Sequence, residues 1–156
     1  KKIHSIVLWT TKTKMMSEKE LEEFQLISTH PIKKSDLGFH GKLFGGKLLA
    51  WLDAAGAAFA AQVCDTPRMV TIKIDECLFK KASKEGQLLK IYGKVYEFGT
   101  TSVTLLLECR AHSVYTGKQT SVLTTNIKFV RVDGDGDAIP ISERVKNKLN
   151  QNKEDE

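Results

Sequence analysis

No apolar run in this 156-residue chain is long enough to span a membrane. The longest candidate, Leu48 to Val63, is interrupted by Asp53 and reads as a buried core helix. Ile6 to Trp9 is too short for the apolar core of a signal peptide, and Lys12 and Lys14 follow it closely. Cysteines are few and odd in number: Cys64, Cys77 and Cys109, at spacings that match no metal motif. Each sits in an apolar context, where a free thiol acts as a small hydrophobe, so a reducing cytoplasm is the expected compartment. A Gly-x-Ser-x-Gly elbow, a P-loop and a Cys-x-x-Cys pair are all missing, which leaves those chemistries without support. His30 and His112 fall on expected strands with no carboxylate at ligand spacing, so no metal is expected. Asp133-Gly-Asp-Gly-Asp137 invites a calcium reading, but the sixth loop position is Ala138 rather than Gly and the twelfth is Arg144 rather than Glu. A solvated turn is expected there.

What the chain does have is a segment from His40 to Val63 in which Gly45-Gly46 opens a long, alanine-rich apolar stretch. One charged residue, Asp53, lies inside it. An unpaired carboxylate in a buried helix is costly, so its presence asks for a reason. Asp53 comes seven residues after Gly46, two helical turns on, and shares a face with it. A helix N-terminus polarises a carbonyl, and a carboxylate on the same side handles water. That combination suits acyl transfer.

The remaining pattern sets the fold. Hydrophobic residues make up 41% of the chain and charged residues 28%, enough for one packed domain with an ordinary polar surface. We divide it into an N-terminal arm (1–19), a single domain (20–141) and a polar C-terminal tail (142–156). Phe24, Leu26 and Ile27 point to a first strand, followed by a loop from Lys33 to Leu43. The central helix runs from Phe44 to Val63 with a stripe of Leu48, Trp51, Leu52, Ala55, Phe59 and Val63. Ala50, Ala54, Ala57, Ala58 and Ala61 are small enough for close approach to a sheet. Alternation then predicts strands over Met69–Phe79, Leu88–Phe98, Ser102–Val114 and Ser121–Val132. Their short links imply an antiparallel meander, hence an α+β fold with a curved sheet wrapped around one helix. The free strand edges of such a sheet invite pairing with a second copy.

Each candidate residue has a structural alternative. Gly45-Gly46 is either an oxyanion-binding helix start or a tight loop-to-helix entry. Asp53 is either a general base or a structural carboxylate paired across an interface. His40 is either a group acting on the leaving thiol or a loop scaffold. The net charge of +5 admits an anionic partner, and a phosphorylated small molecule fits it. Nucleic acid is not expected, because the lysines are dispersed and few aromatics interleave with them.

Asp36-Leu-Gly-Phe-His-Gly-Lys-Leu-Phe-Gly-Gly followed by Leu-Leu-Ala-Trp-Leu-Asp53 resembles the hotdog-fold acyl-CoA thioesterases, in particular the YciA-like acyl-CoA hydrolases. Arg68-Met-Val-Thr-Ile, Phe79-Lys-Lys and Gly99-Thr-Thr-Ser102 agree with it, and the resemblance covers about Leu26 to Val132. It implies hydrolysis of acyl-CoA to free acid and coenzyme A, with no cofactor beyond the coenzyme A of substrate and product. It also implies a homodimer with sites at the interface, assembled further as a trimer of dimers, or hexamer. In that scheme Asp53 acts on water and the amides at Gly45 and Gly46 form the oxyanion hole. Thr101 and Ser102 flank the site, and Arg68 and Lys81 meet coenzyme A phosphates. The family's Asp-x-Asn carries an amide where this chain has Gly38. Either His40 or Asp36 substitutes, or the chain is a weakened variant. The alternative reading is a non-catalytic acyl-CoA-binding module.

Overall fold

The computed structural model describes residues 21 and 23–155, so the sequence-defined arm at 1–19 lies outside the described residues. Five strands form one antiparallel sheet: β1 (Gln25–Pro31), β2 (Met69–Ile74), β3 (Leu88–Phe98), β4 (Ser102–His112) and β5 (Gln119–Arg131). The spatial order is β1-β3-β4-β5-β2. The helix α1 (Gly45–Cys64) lies between β1 and β2 in sequence and packs against the sheet, as the alternating pattern predicts. A second helix, α2 (Glu143–Glu154), forms within the sequence-defined tail.

Two consecutive hairpins build the centre. β3 and β4 pair from Leu88↔His112 to Phe98↔Val103, and β4 and β5 from Ser102↔Val130 to His112↔Gln119. Alternation sends Val103, Leu105, Leu107 and Cys109 toward α1, where they join Leu89, Ile91, Leu123, Ile127 and Phe129 in the core. The helix contributes Leu48, Leu52, Ala55, Phe59 and Ala60 to the same cluster. Gly56 sets how close helix and sheet come, because a Cβ there would stand 3.0 Å from the Phe129 ring and 3.2 Å from Leu107.

Four details differ from the sequence reading. The expected meander holds only for β3-β4-β5, because β2 pairs with β5 at the sheet edge and not with β3. Close approach to the sheet is made by Ala55, Gly56 and Ala60, whereas Ala50, Ala54 and Ala58 are exposed. The 3.6-residue period puts those alanines on the face opposite the large residues. β2 ends at Ile74 rather than Phe79. Past it the chain stays bonded to β5 only at intervals: Asp75 N–H donates to the Asn126 carbonyl and Lys80 N–H to the Val122 carbonyl. The segment then turns beneath the helix start, where Leu43 N–H donates to the Ser83 carbonyl. The polar tail docks by its few apolar residues, with Val145 buried and Leu149 packed on the core, next to the buried Ile141 that ends the domain.

Helix α1 ends at Asp65, which adopts φ 54°, a left-handed conformation that Asp tolerates better than most residues. The N–H groups of Asp65 and Thr66 both return to the Ala61 carbonyl. Asp133 holds its turn closed, its Oδ1 accepting N–H bonds from Asp135 and Asp137 at 2.9 and 3.0 Å. These bonds make the acidic loop a self-satisfied turn, as expected.

Candidate active site

The loop that delivers the chain into α1 is organised by Asp36. Its side chain is buried, and its Oδ2 accepts the Lys33 N–H at 2.9 Å while its carbonyl accepts the Phe44 N–H. Lys47 Nζ stands 3.7 Å from Oδ1. Beyond Asp36 the chain makes a narrow excursion closed by the Leu37↔Leu43 bridge and by Gly38 N–H donating to the Lys42 carbonyl at 2.7 Å. Phe39 and His40 occupy its tip. Phe39 is 100% exposed, and exposed His40 meets it edge-on at 5.3 Å.

Among the described residues, the helix start carries unused donors. Phe44 precedes the first turn without a side-chain cap, and the first amides that bond back are Lys47 and Leu48, both to the Phe44 carbonyl. The N–H groups of Gly45 and Gly46 have no intrahelical partner, and the helix dipole adds partial positive charge there. A Cβ at Gly46 would sit 2.6 Å from the ring of Phe44, an exposed side chain that would have to swing aside. Beside this start lies a cavity of about 380 Å³ lined by Leu43, Gly45, Leu48, Phe79–Ser83 and Val122. Its walls are largely apolar.

Asp53 stands half-buried on α1, and Thr71 Oγ1 of β2 donates to its Oδ1 at 2.7 Å. The second carboxylate oxygen accepts no bond from a described residue. Seven residues of helix place Asp53 about 10 Å along the axis from Gly46.

The other expected residues separate in the same way. Lys81 lines the cavity at the helix start. Arg68, Thr101 and Ser102 lie at the opposite end of α1, joined through Val132 N–H to the Arg68 carbonyl and Arg131 N–H to the Thr101 carbonyl. Arg68 extends over Gly134, and Ser102 is buried beneath Gly99. Gly38 lies in the loop ahead of the helix, and its backbone is outside the left-handed region.

Sequence reasoning missed Thr71, Lys80 and Ser83. Lys80 Nζ donates to Thr124 Oγ1 at 3.0 Å, and Thr124 Oγ1 donates to Glu108 Oε1 at 2.7 Å. Burial pushes the Lys80 ammonium below the ordinary lysine range, opposed by the Glu108 carboxylate and reinforced by Arg110. Elsewhere His30 stacks on Trp51 with ring centroids 4.5 Å apart, and burial lowers its pKa against the pull of Asp36. Burial also pushes the Cys64 thiol up to about 11, with Asp65 adding to it. No cluster of metal-ligating side chains occurs among the described residues. No helix among them is long and apolar enough to cross a membrane.

A long helix cradled by a five-stranded antiparallel sheet, opening on glycine amides, is the frame of the hotdog thioesterases. A sequence model of the thioesterase superfamily matches residues 40–113. A hexameric hotdog fold thioesterase of Campylobacter jejuni superposes with a TM-score of 0.72 at 31% identity, over 79% of this chain and 94% of that one. The chain belongs to the hotdog-fold thioesterase family. Among named relatives, the acyl-CoA thioester hydrolase YciA of Escherichia coli is 28% identical over 112 residues, covering 69% of this chain and 84% of YciA. An acyl-CoA hydrolase from Staphylococcus aureus, solved with butyryl coenzyme A and coenzyme A, superposes at a TM-score of 0.69. It is 25% identical, over 77% of this chain and 72% of that one.

Proposed function

We propose that this protein hydrolyses acyl-CoA thioesters to a free carboxylic acid and coenzyme A. The observation that carries it is the pair of amides at Gly45 and Gly46, without a partner among the described residues, at a helix start beside a largely apolar cavity. The thioester carbonyl oxygen accepts these N–H groups, which stabilise the charge that grows on it as water attacks. Asp53, held through one oxygen by Thr71, takes the proton from that water with the other. The thiol of coenzyme A leaves. Lys81 stands at the cavity to meet anionic parts of the coenzyme, and Arg68, Thr101 and Ser102 serve a site at the other end of the helix. No cofactor enters this scheme.

In this reading the working unit is a homodimer, in which one subunit brings the amides and its partner the aspartate, and the about 10 Å of helix between Gly46 and Asp53 supports it. Two further features support assembly. β2 is a free sheet edge with Val70, Ile72 and Ile74 exposed. The helix face bearing Ala50, Ala54 and Ala58 is also exposed in one subunit. The hexameric Campylobacter jejuni relative supports a trimer of such dimers. Three free thiols fit a reducing cytoplasm.

The test is thiol release from a panel of acyl-CoAs. Wild-type turnover is expected, and Asp53→Asn should lose roughly 10²- to 10⁴-fold in rate while still binding substrate. Turnover of Asp53→Asn at the parental rate would remove Asp53 from the mechanism. Binding without thiol release by the wild type would establish instead the binding module that Gly38 admits.

A further inference from the structure

We propose that Lys80 is a positioning residue for substrate binding: it ties the cavity wall at the helix start to a buried polar cluster on the far face of the sheet, and so sets how tightly acyl-CoA is held. This inference rests on the thioesterase reading above. The wall is the segment from Phe79 to Ser83. The Phe79 ring stands beside the helix start, 3.6 Å from where a Cβ on Gly45 would sit, and Lys81 lines the same cavity. Ser83 fastens one end of the wall, its carbonyl accepting the Leu43 N–H at 2.8 Å. Lys80 fastens the other, its N–H donating to the Val122 carbonyl at 2.8 Å. The Lys80 side chain adds a second tie. Its Nζ donates to Thr124 Oγ1 at 3.0 Å, and Thr124 Oγ1 donates to Glu108 Oε1 at 2.7 Å. Glu108 alternates with Leu107 and Cys109, which face α1, so this tie crosses to the opposite side of the sheet.

Arg110 already answers the Glu108 charge: its Nε stands 3.3 Å from Oε2, and both side chains are buried. Lys80 brings a second positive charge to the same carboxylate. Burial disfavours that charge most, Arg110 repels it, and Glu108 offsets the two only in part. An ammonium kept against those forces does more than balance Glu108. What its bond restricts is the freedom of the wall. The amides of Gly45 and Gly46 and the carboxylate of Asp53 ride on α1, which is held by the core. Phe79 and Lys81 ride on the wall, which is held by Lys80. Loosening the wall therefore weakens binding and spares the chemical step. Thr124 is 1% exposed and pairs with Glu108 on the face away from α1, so it acts on the cavity through Lys80.

The experiment measures kcat and KM separately, with thermal melting alongside, for the acyl-CoA of the panel above that the parent turns over fastest. The variants are Lys80→Met, Thr124→Val, Thr124→Ser and the double variant of the first two. Methionine keeps an unbranched stem without the ammonium and leaves the Arg110–Glu108 pair in place. Lys80→Met and Thr124→Val should each raise KM by roughly 3- to 10-fold, the range of one hydrogen bond, with kcat within about twofold of the parent. The double variant should be no worse than either single one, because both break the same tie. Thr124→Ser keeps the hydroxyl and should restore the parental KM. A merely destabilised enzyme has fewer active molecules, which lowers kcat and leaves KM where it was. A parental KM in either single variant, or KM effects that multiply in the double variant, overturns this proposal and leaves the thioesterase reading intact. A rise in KM for Lys80→Met alone would mean that the ammonium meets the coenzyme directly. Absence of thiol release from the whole panel by the parent overturns the thioesterase reading and this proposal with it.

Discussion

Glu108→Ala should cost about 3–5 kcal/mol of stability, the usual price of breaking a buried charge pair. Glu108 lies on the sheet face away from α1, yet it is 0% exposed, and Arg110 beside it is 4% exposed. Oε1 accepts the hydroxyls of Ser121 at 2.9 Å and Thr124 at 2.7 Å, and Oε2 accepts Arg110 Nε at 3.3 Å. Alanine removes the acceptor that these three donors share, in a place water does not reach. For a chain of this size each kcal/mol moves Tm by about 2–4 °C, so the melting point should fall by roughly 6–20 °C. Urea denaturation and calorimetry at one fixed protein concentration would measure it, because assembly makes Tm concentration-dependent. Replacing both members, Glu108→Leu with Arg110→Leu, should recover more than half of the loss, since neither charge is then buried. A Glu108→Ala protein within about 1 kcal/mol of the parent would refute the reasoning, because one unsatisfied buried donor alone costs about that much.

Gly38→Asn should raise kcat. A Cβ at Gly38 meets only Phe44 at 3.4–3.5 Å, and the backbone conformation suits any residue, so the amide is accommodated. One donor at an oxyanion-type site contributes about 2.7–4 kcal/mol, which sets the upper limit of the gain at saturating substrate. An unchanged kcat in a folded dimer would show the role already filled, and loss of activity in His40→Ala would identify His40 as filling it. Ile72→Asp should convert the assembly to inactive, folded monomers by light scattering, since Ile72 is 60% exposed in the single subunit and contributes little to its core. Full activity with an intact dimer would mean that the β2 edge is not where copies meet.

Much of the fold was legible because it is periodic. Val103, Leu105 and Leu107 announce one face of β4, and Leu48, Leu52, Ala55 and Phe59 announce one face of α1, by spacing alone. Gly45-Gly46 before an apolar run, and a lone Asp53 within it, mark the helix start and its carboxylate without any tertiary information. What the pattern reports is which side of an element a residue takes. It is silent about what covers that side. Glu108 and Arg110 sit at positions that alternation assigns to the polar face of β4, and nothing local says that this face is shut.

The chain's own sequence thus determined the helix, the β3-β4-β5 meander and the identity of the groups able to hold a carbonyl and a proton, but not that β2 closes beside β5 and β1 beside β3. Tertiary structure alone decided which of them meet. Thr71 reaches Asp53 across eighteen residues. Lys80 reaches Thr124 across forty-four. Ser83 is brought against a helix start that precedes it by nearly forty positions. Local propensity and period act over a few residues, whereas contacts between distant segments are set by how the 75–83 segment leaves β5 and wraps beneath the helix. The chemistry was written in the residue types, and its assembly into a site waited on packing.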